Sequence, residues 1–211
     1  RQSLLDNQIT RETAASAFGF NPNLKTVLVL GGSLGARTIN QTLAAGLALM
    51  KAHPEVQFIW QTGKIYIDQE KAAITAFTGE AVRNARVGSI PNLYVTDFIK
   101  NMNNAYTLAD LVISRAGAGS ISEFCLLGKP VILVPSPNVA EDHQTKNALA
   151  LVNKDAALYV KDAEAQEKLL DTALETVADD ELLKQLSVNI AKLALPDSAR
   201  IIAEEVLKLI K

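Results

Sequence analysis

The sequence predicts an α/β fold, a parallel sheet with helices on both faces. Three observations predict it. Short β-branched runs alternate with longer stretches whose apolar residues recur at helical spacing. Runs such as Thr26-Val27-Leu28-Val29-Leu30 read as buried strands. The 211 residues are 48% hydrophobic and 21% charged, enough for one substantial core. That composition excludes a disordered chain, a collagen-like repeat and a disulfide scaffold.

In chain order, strand 26–30 is followed by a helix over 36–52, a strand over 56–61 and a helix over 65–77. Residues 79–91 hold Gly and Pro and read as a loop or weakly ordered insertion. A strand over 93–98, a short helix over 102–108 and a strand over 111–114 come next. A helix over 120–127 ends at Gly128-Lys129-Pro130, and a buried strand spans 131–134. A helix over 143–152 and a last strand over 157–160 precede three helices, at 163–178, 180–193 and 197–210. No linker divides the chain, so 1–211 reads as one domain. Residues 1–22 form a lead-in ending at Asn21-Pro22-Asn23, and 163–211 form a C-terminal helical segment. The chain begins at Arg1 rather than Met, which reads as a processed or truncated chain.

Lys plus Arg is 21 and Asp plus Glu is 23, a formal charge of -2. That balance argues against general nucleic-acid binding. No apolar run approaches the roughly 20 residues of a membrane helix. The single cysteine, Cys125, excludes an internal disulfide and a multi-Cys metal site, and it reads as core packing on an apolar helix face. A reducing cytoplasm fits, with no signal peptide visible.

Ligands of such sheets bind outside the carboxyl ends of the strands, so the loops there carry the chemistry. The first is Gly31-Gly32-Ser33-Leu34-Gly35-Ala36, a strand-to-helix turn where bare backbone and helix N–H groups favour an anion. Its match to the dinucleotide fingerprint is poor. The second strand ends Trp60-Gln61-Thr62-Gly63, without the acid a dinucleotide ribose wants. Gly63-Lys64 and Gly128-Lys129 lack the Ser or Thr of a P-loop. A purely structural turn is the alternative. The second loop is Ser114-Arg115-Ala116-Gly117-Ala118-Gly119-Ser120-Ile121-Ser122-Glu123. Glu123 suits a ribose diol, yet Ser120 and Glu123 at i, i+3 also read as a capping box. Arg115 suits a phosphate or a structural salt bridge. The third loop runs from Pro135 to Asn147. It presents His143, Gln144 and Asn147 near a helix start, with Asp142 as N-cap and His143 an exposed helix-start residue. No triad partner accompanies His143, and no Asp-x-Asp stands ready to hold a metal. Together the loops predict a pocket for a phosphorylated, hydroxyl-rich ligand, with leaving charge met by backbone N–H groups and helix dipoles.

Four segments resemble the MurG family: Gly31-Gly32-Ser33-Leu34-Gly35-Ala36-Arg37 with Asn40-Gln41, Thr96-Asp97-Phe98-Ile99, residues 114–123, and Glu141-Asp142-His143-Gln144-Thr145-Lys146-Asn147-Ala148. These are the peripheral-membrane N-acetylglucosaminyltransferases of peptidoglycan synthesis. The resemblance covers the whole chain but only the C-terminal half of the family's protein. It implies a Rossmann-like domain, the nucleotide-sugar half of a two-domain GT-B enzyme. The implied reaction moves GlcNAc, with inversion, from UDP-GlcNAc to lipid I, giving lipid II at the cytoplasmic face of the bacterial inner membrane. The resemblance implies that Ser33 touches the diphosphate and that the backbone of Ile99 pairs with uracil. Ala118, Gly119, Ser120, Ile121 and Ser122 would wrap the diphosphate and sugar. Glu123 would hold the ribose hydroxyls and Gln144 would read GlcNAc hydroxyls, with UDP affinity indifferent to it. Arg1 would pack beside the nucleotide. No cofactor or metal is implied. The base, the lipid I site and the membrane contact belong to the other half, so this half carries no catalytic residue and is expected to bind donor weakly. The segment 79–91 departs from the pattern by its length. Two readings compete: another GT-B enzyme, such as a UDP-sugar 2-epimerase or a different UDP-glycosyltransferase, and a stand-alone nucleotide-binding regulator.

Overall fold

The structure, a computed structural model, describes residues 8–32, 34–196 and 198–208. The chain runs α1 (Arg11–Phe18), β1 (Lys25–Leu30), α2 (Arg37–Ala45), α3 (Leu47–Ala52), β2 (Val56–Gln61), α4 (Ile67–Thr78), β3 (Arg86–Val87) and β4 (Ile90–Thr96). It continues through α5 (Met102–Leu108), β5 (Leu111–Ser114), α6 (Ala118–Leu127), β6 (Val131–Leu133), α7 (His143–Val152), β7 (Leu158–Tyr159), α8 (Ala165–Ala178), α9 (Asp180–Ala191) and α10 (Ser198–Lys208). Short 3-10 turns at Ala140–Asp142 and Asp162–Glu164 precede α7 and α8.

The strands form one sheet in the order β3-β4-β2-β1-β5-β6-β7. Every pairing is parallel except β3 with β4. β1 lies centrally, in register with β2 from Lys25↔Val56 to Leu30↔Gln61 and with β5 from Val27↔Leu111 to Leu30↔Ser114. Its alternate side chains feed two cores, as the period of two demands. Val27 and Val29 join Ile39, Leu43, Leu169 and Ala173 on one face, while Leu28 and Leu30 join Ala105, Phe124, Cys125 and Leu151 on the other. Both faces are covered, so the expected Rossmann-like parallel α/β architecture is borne out. Chain direction across the sheet reverses between β1 and β5, which opens a crevice at their carboxyl ends.

The structure differs from the sequence reading at three elements. The helix expected over 36–52 is two helices, because Gly46 breaks it where Leu170 packs on bare backbone. Residues 79–91 are not all loop. Val87 and Ile90 pair across Gly88-Ser89, so β3 and the first residues of β4 form a hairpin at the sheet edge, both side chains buried. Within the stretch read as a lead-in, α1 belongs to the core: Ala14 and Ala15 are fully buried and the helix packs on α5. Arg11 fixes it by donating to Asp110 at 2.8 Å and to the carbonyls of Pro22, Leu24 and Leu108.

Candidate functional site

The crevice holds a cleft of about 590 Å³, bounded by all three loops. Its walls include Gly31, Gly32, Gly35 and Thr38 from the β1–α2 turn, Arg115, Gly117 and Ser120 from the β5–α6 turn, and Ser136 and Gln144 around the start of α7.

Two glycines permit the first turn. Gly35 (φ +87°) and Gly63 (φ +82°) lie backbone against backbone, in the left-handed region that side chains resist. A Cβ on Gly35 would be driven into the Thr62 carbonyl and the Tyr66 ring, and one on Gly63 into Gly35. Asn40 holds this junction from beneath. Its amide donates to the Thr62 carbonyl at 2.8 Å, and its oxygen accepts the Trp60 indole N–H at 2.9 Å, all fully buried. Helix α2 thereby starts at the cleft, and its N-cap, Ala36, makes no side-chain capping bond.

Helix α6 starts there as well. Its N-cap is Gly117, again without a side-chain capping bond. Since the helix begins at Ala118, Ser120 lies within its first turn, and the capping-box alternative for Ser120 and Glu123 is not realised. Glu123 instead accepts a hydrogen bond from the buried Tyr106 hydroxyl at 3.0 Å. Burial, then the Glu123 charge, pushes the Tyr106 phenol far above its ordinary range, so it remains a donor. Tyr106 is a partner that the sequence reading did not single out.

Gln144 differs from expectation in what its amide does. Its oxygen accepts the backbone N–H groups of Ser136 at 2.9 Å and Ala116 at 3.2 Å. One turn on, Asn147 donates to the Ala116 carbonyl at 3.1 Å. The amide oxygen is therefore engaged by two loops, and the residue lines the cleft. Gln144 thus links the β5–α6 turn to the segment after β6.

Arg115 makes the structural ion pair rather than standing free. Its Nη1 donates to the carbonyls of Val134 (3.0 Å) and Pro135 (3.2 Å) and to Asp162. Asp162 also accepts from Thr38 Oγ1 at 2.9 Å. Sequence reasoning missed Asp162, though its place just past the carboxyl end of β7 was the available signal. His143 is exposed, its Nδ1 2.9 Å from the Ala140 carbonyl. Asp142 occupies the cap position but bonds the Thr145 hydroxyl instead of a backbone N–H. Cys125 is buried, and burial pushes its thiol up.

The expected site residues divide around this cleft. Ser120 and Gln144 line it, and Ala118 and Gly119 sit exposed at the start of α6. Ile121 and Ser122 line a different groove of about 520 Å³, against α7 and residues 192–195. Ile99 lies in a third cleft of about 370 Å³, with Phe98, Asn101 and Asn104. There its N–H meets the Gln61 amide oxygen at 3.4 Å, and the same amide donates to the Gly32 carbonyl. Arg1 and Ser33 lie outside the described residues.

Fold and cleft define a Rossmann-like α/β domain that offers an anion two helix N-termini at its switch point. Residues 26–201 match the model of the glycosyltransferase family 28 C-terminal domain, and the chain belongs to that family. It is 68% identical over 209 residues to the UDP-N-acetylglucosamine–N-acetylmuramyl-(pentapeptide) pyrophosphoryl-undecaprenol N-acetylglucosamine transferase of Bacteroides fragilis, covering 99% of this chain and 52% of the relative. A relative of the same name from Porphyromonas gingivalis is 49% identical, over 96% of this chain and half of that protein. The chain thus spans about half the length of the curated relatives it matches. Among solved structures, Acinetobacter baumannii MurG matches 97% of this chain and 55% of its own, with a TM-score of 0.72 and 25% identity. The resemblance to the MurG family is borne out by these relatives. A UDP-GlcNAc 2-epimerase from Neisseria meningitidis shares the fold at a TM-score of 0.66 and 17% identity, covering 98% of this chain and 51% of its own.

Proposed function

We propose that this chain is the donor-binding half of an inverting glycosyltransferase that moves GlcNAc from UDP-GlcNAc to lipid I, forming lipid II. The observation that carries the reading is the pair of helices, α2 and α6, that begin at one cleft without side-chain caps. A diphosphate is the ligand that uses both ends at once, because each supplies N–H donors and the positive end of a dipole. As the glycosidic bond breaks, negative charge grows on the departing UDP. Donors already in place stabilise that charge without reorganising. The small residues 116–120 let the ligand approach bare backbone. Glu123, steadied by Tyr106, suits a ribose diol, and the backbone at Ile99 suits a pyrimidine edge. The names of the relatives supply the sugar and the acceptor.

The acceptor, the base and the contact with the cytoplasmic membrane face belong, in this reading, to sequence outside this chain. Among the described residues no helix is long and apolar enough to cross a membrane. Calorimetry with UDP, UDP-GlcNAc, NADH and ATP tests the reading. UDP and UDP-GlcNAc should bind, NADH and ATP should bind more weakly, and EDTA should leave UDP affinity unchanged. Equal or tighter binding of NADH would sink it.

A further inference from the structure

Asp162 is a carboxylate on the wall of a cleft that the preceding reading gives to a dianionic diphosphate. A free carboxylate there would repel the ligand. It is not free. One oxygen accepts from Arg115, just before α6, and the other from Thr38 Oγ1, in the first turn of α2. The ion pair is largely shielded, with side-chain exposures of 17% for Arg115 and 18% for Asp162. Asp162 is itself anchored. It follows β7, which pairs with β6, and it leads into α8, which packs along α2.

We propose that Asp162 is a positioning residue: its carboxylate spans from Thr38 to Arg115 and so sets the separation of the two helix N-termini that a diphosphate must meet together. The proposal rests on the nucleotide-sugar reading of the cleft. Its physical basis is that contacts shared between two rigid elements lose most of their value when those elements shift by about 1 Å. A monophosphate, met by one helix end, does not sense the separation. A diphosphate does. Asp162 also cancels the charge of Arg115, which leaves the exposed Arg37 as the uncompensated cation among the described residues lining the cleft.

The test is calorimetry of UDP and UMP on this chain, for wild type, Asp162→Ala, Asp162→Asn, Thr38→Val and the double variant Asp162→Ala/Thr38→Val. Asp162→Ala should weaken UDP by ~10-fold or more, the value of a hydrogen bond to a charged group, while UMP changes far less. Thr38→Val should shift the UDP-to-UMP ratio in the same direction. The double variant should lose less than the product of the single losses, because both act through one carboxylate. If Asp162→Ala does not fold, the isosteric Asp162→Asn, which removes the charge facing Arg115, should lower the same ratio. A ratio unchanged in Asp162→Asn and Asp162→Ala overturns the positioning role while wild-type UDP binding leaves the nucleotide reading standing. Absence of UDP binding by wild type overturns both.

Discussion

At the scale of single residues, Glu123 separates a binding role from a structural one. In sequence, Ser120 and Glu123 admitted both a capping box and a ribose contact, since the same spacing serves either. The register of α6 removes the first: the helix begins three residues before the Ser-x-x-Glu reading needs it to. Glu123→Gln should therefore leave thermal stability nearly unchanged and weaken UDP binding by about 1–3 kcal/mol. Tyr106→Phe, which removes the hydroxyl that orients the carboxylate, should weaken UDP in the same direction by less. A drop in Tm with intact UDP affinity in Glu123→Gln would return the residue to a structural role. The partnerships of Tyr106 and Asp162 were not legible in sequence, because each is made far along the chain, 17 residues away for Tyr106 and 47 from Arg115 for Asp162; only the place of Asp162 past a strand end was. That Gln144 would lie at the cleft was legible, but its bonds to the Ala116 and Ser136 backbone were not, since an amide is equally suited to hydroxyls and to backbone.

At the scale of elements, strand positions were legible wherever apolar runs were continuous, as in β1 and β2, whose centres are fully buried. The edge hairpin was not. Pro91 and the polar residues of 79–91 suppressed a strand reading, although Gly88-Ser89 between Val87 and Ile90 is a two-residue hairpin signal. Helix α1 was lost for a similar reason: its sequence, RETAASAF, carries few large apolar residues, and small alanines bury it against α5. The β1–α2 turn was legible as glycine-rich, and the structure explains which glycines are obligatory. Gly35→Ala should destabilise the fold and abolish UDP binding, since the left-handed backbone costs about 1–3 kcal/mol and the Cβ overlaps the Thr62 carbonyl. Gly32→Ala meets no atom within 4 Å and should cost only the backbone strain, about 1–2 kcal/mol. Melting curves of the two variants check the contrast. Equal losses would mean that the Gly35–Gly63 contact is not what the turn depends on.

At the scale of the whole molecule, topology gathers the site. Residues from the ends of the parallel strands β1, β5, β6 and β7 meet at the crevice where the strand order reverses between β1 and β5. The strand-end rule made that edge legible from sequence, but not how the loops divide among neighbouring clefts. Ile99 and Ser120 line different clefts, although both belong to motifs of the MurG resemblance. The central claim, that the diphosphate sits where α2 and α6 begin, is tested most directly by mapping backbone amide shifts of the ¹⁵N-labelled chain during a UDP titration. The account predicts the largest changes at Gly31, Gly32, Gly35, Ala36 and residues 116–120, with smaller ones at Ser136 and Ile99. Changes confined to the groove lined by Cys125, Leu151, Lys154 and Leu193, with the two helix N-termini silent, would contradict it.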